Sequence, residues 1–290
     1  MTRGASEARA LWRRLEAIHA VTYFSPEPVS ALAAAGYRGY WMGYFAQRAA
    51  PLGAVGPELV TAIFYNFSPW RVAKALPDAW GMAPPDVALE ARASGSTAAL
   101  RRAFDGAEME PELATAVELA GRAARAAPLD GRPLFAANAA LPWPEESVDV
   151  LWHAATLLRE HRGDGHVAAL LAAGVAGREA HVLQVAAGAT TRDVMTVARD
   201  YDDVEWQQVI AGLAERGLLT ADGELTAEGR ALKADVEERT DRIALTAFAS
   251  LSDDEPQQLL AALTPLAKAV VATGDLPSVM PMGLNLDEKL

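Results

Sequence analysis

No cysteine occurs among the 290 residues, so disulfide staples, thiolate nucleophiles and cysteine-ligated zinc are excluded at once. Basic residues are scarce. Lys and Arg number 26 against 38 Asp and Glu, a formal net charge of −12 that opposes partners recognised through phosphates. Long apolar runs are missing too: the longest uncharged one, "VAALLAAGVAG" at 167–177, is too short to span a bilayer. The opening "MTRGASEARALWRR" lacks the apolar stretch of a secretory signal, and a cytoplasmic protein without a membrane partner is expected. Strand-like alternation is nearly absent. So are a Gly-x-Ser-x-Gly elbow, a His-Glu-x-x-His pair and a glycine-rich phosphate loop behind a strand.

What is there is helix. With 51% apolar and 22% charged residues the chain can build a real core. Apolar spacings of three and four predict helices near 6–20, 28–50, 57–67, 69–78, 86–104, 110–127, 145–162, 165–174, 177–187, 191–200, 203–217, 226–249 and 253–273. Pro and Gly clusters at 51–57, 81–85, 127–133 and 141–144 mark the joints. The expected fold class is all-α, a multi-helix bundle with a winged-helix C-terminal part. The expected division is an N-terminal helical domain at 1–130, a helical and winged-helix domain at 131–273 and a loose tail at 274–290. Trp41 and Arg48 sit seven apart, as do Trp152 and Arg159, a hint of internal duplication.

Residues 203–233 are the most specific stretch. Val204, Val209 and Leu213 point inward on a helix that ends at Gly217, Asp222-Gly223 makes a tight hairpin turn between short strands, and Thr226 caps the next helix. The pattern Leu213, Arg216-Gly217-Leu218-Leu219, Asp222-Gly223, Leu225-Thr226 and Gly229 resembles the wing region of MarR-like winged-helix proteins, with helices 177–187 and 191–200 completing the unit over about 177–249. The full chain, with "GYWMGYFAQRAAPLG" and "REHRGDGHVAAL", is similar to an actinobacterial helix-turn-helix family labelled SalK or MarR-like. That resemblance implies a fold and no reaction. It also implies a recognition helix for the DNA major groove, here "DDVEWQQVIAGLAER". The local charge disfavours DNA, because residues 190–250 carry 7 basic and 13 acidic side chains. A packing or dimer surface is the preferred use of the unit.

Three of the five histidines fall between 153 and 166. On a helix over 145–162, Leu151, Ala155 and Leu158 face the core, with His153 and Glu160 roughly opposite. Gly163 is expected to stop that helix and Asp164 to cap the next, which places His166 in a first turn whose dipole favours neutral imidazole. His153, His161, Asp164 and His166 are thus candidates for acid–base chemistry. The eight residues between His153 and His161 span roughly 12 Å of helix, too far for one ion to bind both, and no metal or other cofactor is called for. The alternative is a plain junction of helices with Arg159 and Glu160 as surface charges. A second acid–base candidate is Glu16 with His19, on one stripe with Trp12.

Ten of the 20 aromatic residues lie between 37 and 80. Tyr40, Trp41, Tyr44, Phe45 and Tyr65, with Trp152, are candidates to line a pocket for a flat or apolar small molecule, with Arg48 and Arg159 to hold an acidic group. A tyrosine-rich core is the competing account. The leading functional expectation is a homodimeric small-molecule-binding protein, a ligand-responsive regulator or accessory protein. An enzyme of secondary metabolism using the His and Asp residues is the alternative.

Overall fold

Proline sets where many of the helices begin. The computed structural model, which describes residues 4–284 and 286, runs through α1 (Ala5–Phe24), α2 (Pro26–Ala34), α3 (Gly39–Ala49), α4 (Pro57–Phe64) and α5 (Pro69–Ala73). It continues through α6 (Ala79–Met82), α7 (Pro85–Phe104), α8 (Glu110–Ala126), α9 (Pro133–Ala139) and α10 (Ser147–Ala172). Then come α11 (Gly177–Ala186), α12 (Arg192–Arg199), α13 (Asp203–Glu215), α14 (Ala227–Ala244) and α15 (Glu255–Ala272). Helices α2, α4, α5, α7, α8, α9 and α15 carry proline at one of their first two positions, where its missing N–H leaves no intrahelical bond unmade. The fold is all-α. The helix expected over 28–50 is two, because the chain turns through Gly36 at φ +103.

Helix α10 is the axis, flanked by α1, α7, α8, α9 and α14. The sequence predicts two helices here, broken at Gly163; one continuous helix runs through instead. A glycine inside a helix costs about 1 kcal/mol relative to alanine, a penalty that neighbours on several sides offset. Gly165 shows why a small residue sits there. A Cβ at this position would lie 2.7 Å from Ile243 Cγ2 on α14, so its absence lets the two helices close up.

Three apolar clusters form. The first joins Leu11, Leu15, Ile18, Leu100, Leu119, Leu151 and Leu263, drawing on both sides of residue 130. Leu276, Met280 and Leu284 are buried against it, so the segment expected as a loose tail is packed over these residues; residues 285 and 287–290 lie outside the described part. The second is aromatic, from α2 to α7, and the third belongs to α11–α14.

In this last unit the Thr226 cap falls where the sequence puts it, and two further caps precede it. Thr191 Oγ1 accepts from Val194 N–H, Asp202 Oδ1 from Glu205 N–H at 2.7 Å, and Thr226 Oγ1 from Gly229 N–H at 3.0 Å. The winged β-hairpin does not form as strands. Among the described residues there is one isolated antiparallel bridge, Leu219 to Leu225. The reason is local: the N–H groups of Leu218 and Leu219 both turn back to the Leu213 carbonyl, and that of Glu224 goes to Thr220 Oγ1. Across the turn Thr220 N–H reaches the Glu224 carbonyl and Thr226 N–H the Leu218 carbonyl, which makes one bridge and no longer ladder among the described residues. Val204, expected inward, is 66% exposed, and Trp206 fills the core in its place.

Candidate functional site

A cavity of about 440 Å³ lies where the N-terminal helices meet the α11–α14 unit. Its wall is drawn from α1, α3, α4, α10, α11, α12 and α14, together with residues 281–283. Aromatic rings form one side: Phe64 and Phe67 with Tyr44. Charged side chains lie among and around them.

Glu160 organises that charge. It is 2% exposed, accepts from Arg159 Nη1 at 2.8 Å and lies 3.5 Å from Arg48 Nη2. Burial alone pushes its carboxyl up, but Arg159 and Arg48 overcome this and hold it at about 2. Arg159 also reaches Glu16 Oε2 at 3.4 Å, which the Trp12 indole N–H meets at 3.1 Å. So the two arginines that share a sequence spacing, Arg48 and Arg159, converge on one carboxylate. Neither Arg159 nor Glu160 is a surface charge, as the junction account supposed. A second carboxylate, Asp241 on α14, is fully buried and binds Arg9 at 2.7 Å and Arg162 at 2.9 Å.

Of the sequence-predicted site residues, Glu16, Tyr44, Arg48, Arg159, Asp164 and His166 line this cavity. Asp164 does not cap a helix after Gly163. Its Oδ2 accepts the N–H groups of Leu134 and Phe135, capping α9 from the side, and burial raises its carboxyl to about 6 against those bonds. His166 lies mid-helix, away from any helix dipole. Burial brings its ring down to about 4, and Nδ1 pairs with Thr240 Oγ1 at 2.9 Å.

The other candidates are elsewhere. His19 is buried between Thr156 Oγ1 at 3.0 Å and Tyr23 OH at 3.1 Å, its pKa well below the usual value through burial and then Arg159. His161 is fully buried edge-on to Phe135, with neither ring nitrogen bonded among the described residues; burial, then Arg132, lowers it to about 3. His153 is buried too, against Trp143, and with Trp152 and Arg92 it lines a separate cavity of about 390 Å³. Burial, then Arg92 and Arg125, lowers it to about 4. Phe45 is fully buried, 5.0 Å from the Phe67 ring, while Tyr40 is 41% exposed. Trp41 stacks under Arg71, and the Tyr65 hydroxyl donates to the Val175 carbonyl at 2.5 Å. Among the described residues no group of three His, Asp or Glu is placed to hold a metal ion.

The cavity residues that sequence reading missed include Phe64, Phe67, Arg162 and Arg199. Arg199 looks in sequence like an ordinary basic end of a helix; its inward aim follows from the docking of α12. The four basic residues of α11–α13 and its flank are all engaged. Arg178 pairs with Glu205, Arg192 with Asp203 and Arg216 with Glu179, while Arg199 turns into the cavity. The outer surface of α13 is left with Asp203, Val204, Gln207, Gln208 and Glu215. No described helix is long and apolar enough to cross a membrane.

A family model described as a helix-turn-helix family matches residues 8–277. No curated protein and no solved structure is similar enough to match.

Proposed function

The chain belongs to this helix-turn-helix family, and from that premise we propose a small-molecule-binding member, a ligand-responsive regulator or accessory protein with its ligand in the central cavity. One observation carries the reading: the cavity's lining is drawn from α3 and α4 as well as from α11, α12 and α14, so an occupant can touch both parts at once. Pockets at such junctions are where small molecules bind and bias conformation. The order α11, α12, α13, turn, α14, with the Leu213–Gly229 pattern, supports a MarR-like unit with its wing reduced to one bridge.

Family membership favours DNA as a partner, but phosphate contacts need free Lys and Arg. Here those side chains are tied to Glu205, Asp203 and Glu179, and acids dominate the outer face. The helix-turn-helix unit therefore serves as a sensing and packing element, and a direct DNA contact is not part of the proposal. An acid–base enzyme is the second reading, favoured by Asp164, whose carboxyl burial raises to about 6 at the cavity wall. Against it, both Asp164 and His166 already have structural bonding partners.

Native mass spectrometry of the purified chain tests the leading reading. A retained organic mass, on the homodimer we expect, supports it. An empty protein that binds random duplex DNA with a steep salt dependence overturns it.

A further inference from the structure

The cavity contains more cation than its carboxylates answer. Arg48 and Arg159 share Glu160, and Arg159 also takes Glu16. The Asp164 carboxylate is held by the N–H groups of α9. Arg199, from α12, has no carboxylate within ion-pair distance among the described residues. Its Nη1 donates to the neighbouring Ala198 carbonyl at 2.9 Å, and its Nε, like that of Arg48, is buried without an acceptor. The two guanidinium groups lie against adjacent rings, Arg48 over Phe64 at 4.1 Å and Arg199 over Phe67 at 4.3 Å. Burial lowers the Arg199 pKa, with the nearby Tyr44 opposing and Arg48 adding to the effect. A half-buried guanidinium on a cavity wall with no carboxylate partner is placed to take something negative.

We propose that Arg199 and Arg48 together hold the carboxylate of an organic anion whose flat, apolar body lies against Phe64, Phe67 and Tyr44. Two forked guanidinium groups suit the two oxygens of a carboxylate, and aromatic rings supply the apolar contact. This inference rests on the cavity reading above and adds the ligand's class. It also gives the ligand a mechanical consequence. Arg48 belongs to α3 and Arg199 to α12, so the bound carboxylate ties the helix-turn-helix unit to the N-terminal helices.

The test is isothermal titration with naphthalene-2-carboxylate and its neutral amide, using the wild-type chain and Arg199→Gln. The acid is expected to bind at least tenfold more tightly than the amide. Arg199→Gln should bring the acid to the amide's level while leaving the melting temperature unchanged or higher, because a half-buried charge with no carboxylate partner has been removed. If Arg199→Gln does not fold, Arg199→Lys replaces it, and a threefold or greater loss for the acid with the amide unchanged is the expected result. Equal binding of acid and amide, or an Arg199 variant that binds the acid as well as wild type does, overturns the anion clamp and leaves the cavity reading intact. Binding of neither probe also overturns it, and the native mass measurement then decides the cavity reading separately.

Discussion

The carboxylate of Asp164, two-thirds of the way along α10, accepts the backbone N–H of Phe135 at 2.9 Å and that of Leu134 at 3.0 Å. Both donors belong to the first turn of α9, where intrahelical partners do not exist. A residue in the middle of one helix thus caps another. Asp164→Ala leaves two buried N–H groups unbonded and should lower stability by about 2 kcal/mol. Asp164→Asn keeps an acceptor oxygen and should retain most of it. Amide exchange at Leu134 and Phe135 is the direct check: protection unchanged in the alanine variant removes the capping role.

Glu160 is the shared acceptor of two buried arginines, so its removal is asymmetric. Glu160→Gln leaves Arg48 and Arg159 charged and under-partnered, a change that costs about 3–5 kcal/mol for a buried pair. Adding Arg48→Met removes one of the stranded charges, so the double variant should be more stable than the sum of the singles. Urea midpoints of the three variants measure this. Strict additivity means that Arg48 and Glu160 do not interact.

Gly165 and Ile243 make a steric rather than an electrostatic pair. A methyl group at Gly165 meets Ile243 Cγ2 at 2.7 Å, and overpacking of this kind costs about 1–3 kcal/mol. Gly165→Ala should be destabilising alone although alanine is the better helix former. In an Ile243→Ala background, where the obstructing methyl is gone, the same change should be neutral or stabilising. A penalty that persists there assigns the glycine another role.

Features with local causes were readable from the sequence. The helix-rich fold, the Gly217 terminus of α13 and the Thr226 cap rest on residues within a few positions of one another. The break expected at Gly163 rests on local propensity as well, and there tertiary packing prevails: the neighbours of α10 keep it helical. The site was half legible. Tyr44, Arg48 and Arg159 reach the cavity, whereas Phe45 goes to the core and Trp152 faces another space, because a helix face assigned from spacing does not say which neighbour covers it. Arg199 was invisible for the same reason. Its partner rings and Arg48 lie far away in sequence, and nothing near it in the chain marks the side chain as buried.

The histidines make stability depend on pH in a direction that can be worked out. His153 and His166 are lowered to about 4 and His161 to about 3, mainly by burial, so all three are neutral in the folded chain near pH 7. In the unfolded chain each takes a proton near pH 6.5. Their stabilisation is therefore complete above pH 6.5 and is lost as pH falls toward 4, because the unfolded state binds more protons there. Asp164 works the other way. Its folded value of about 6 exceeds the unfolded one, so its contribution is fully present only at low pH and declines as pH rises through 6. His19 and His181 are lowered in the same sense, so the histidines together outweigh Asp164 and stability should fall between pH 7 and pH 5. His161→Leu removes one titrating ring with no bonded nitrogen and should flatten the profile. Urea denaturation at half-unit steps from pH 7.5 to 5 gives the slope. A flat or rising profile toward acid would show that water or local opening reaches these rings, and the histidines would then regain their claim to chemistry.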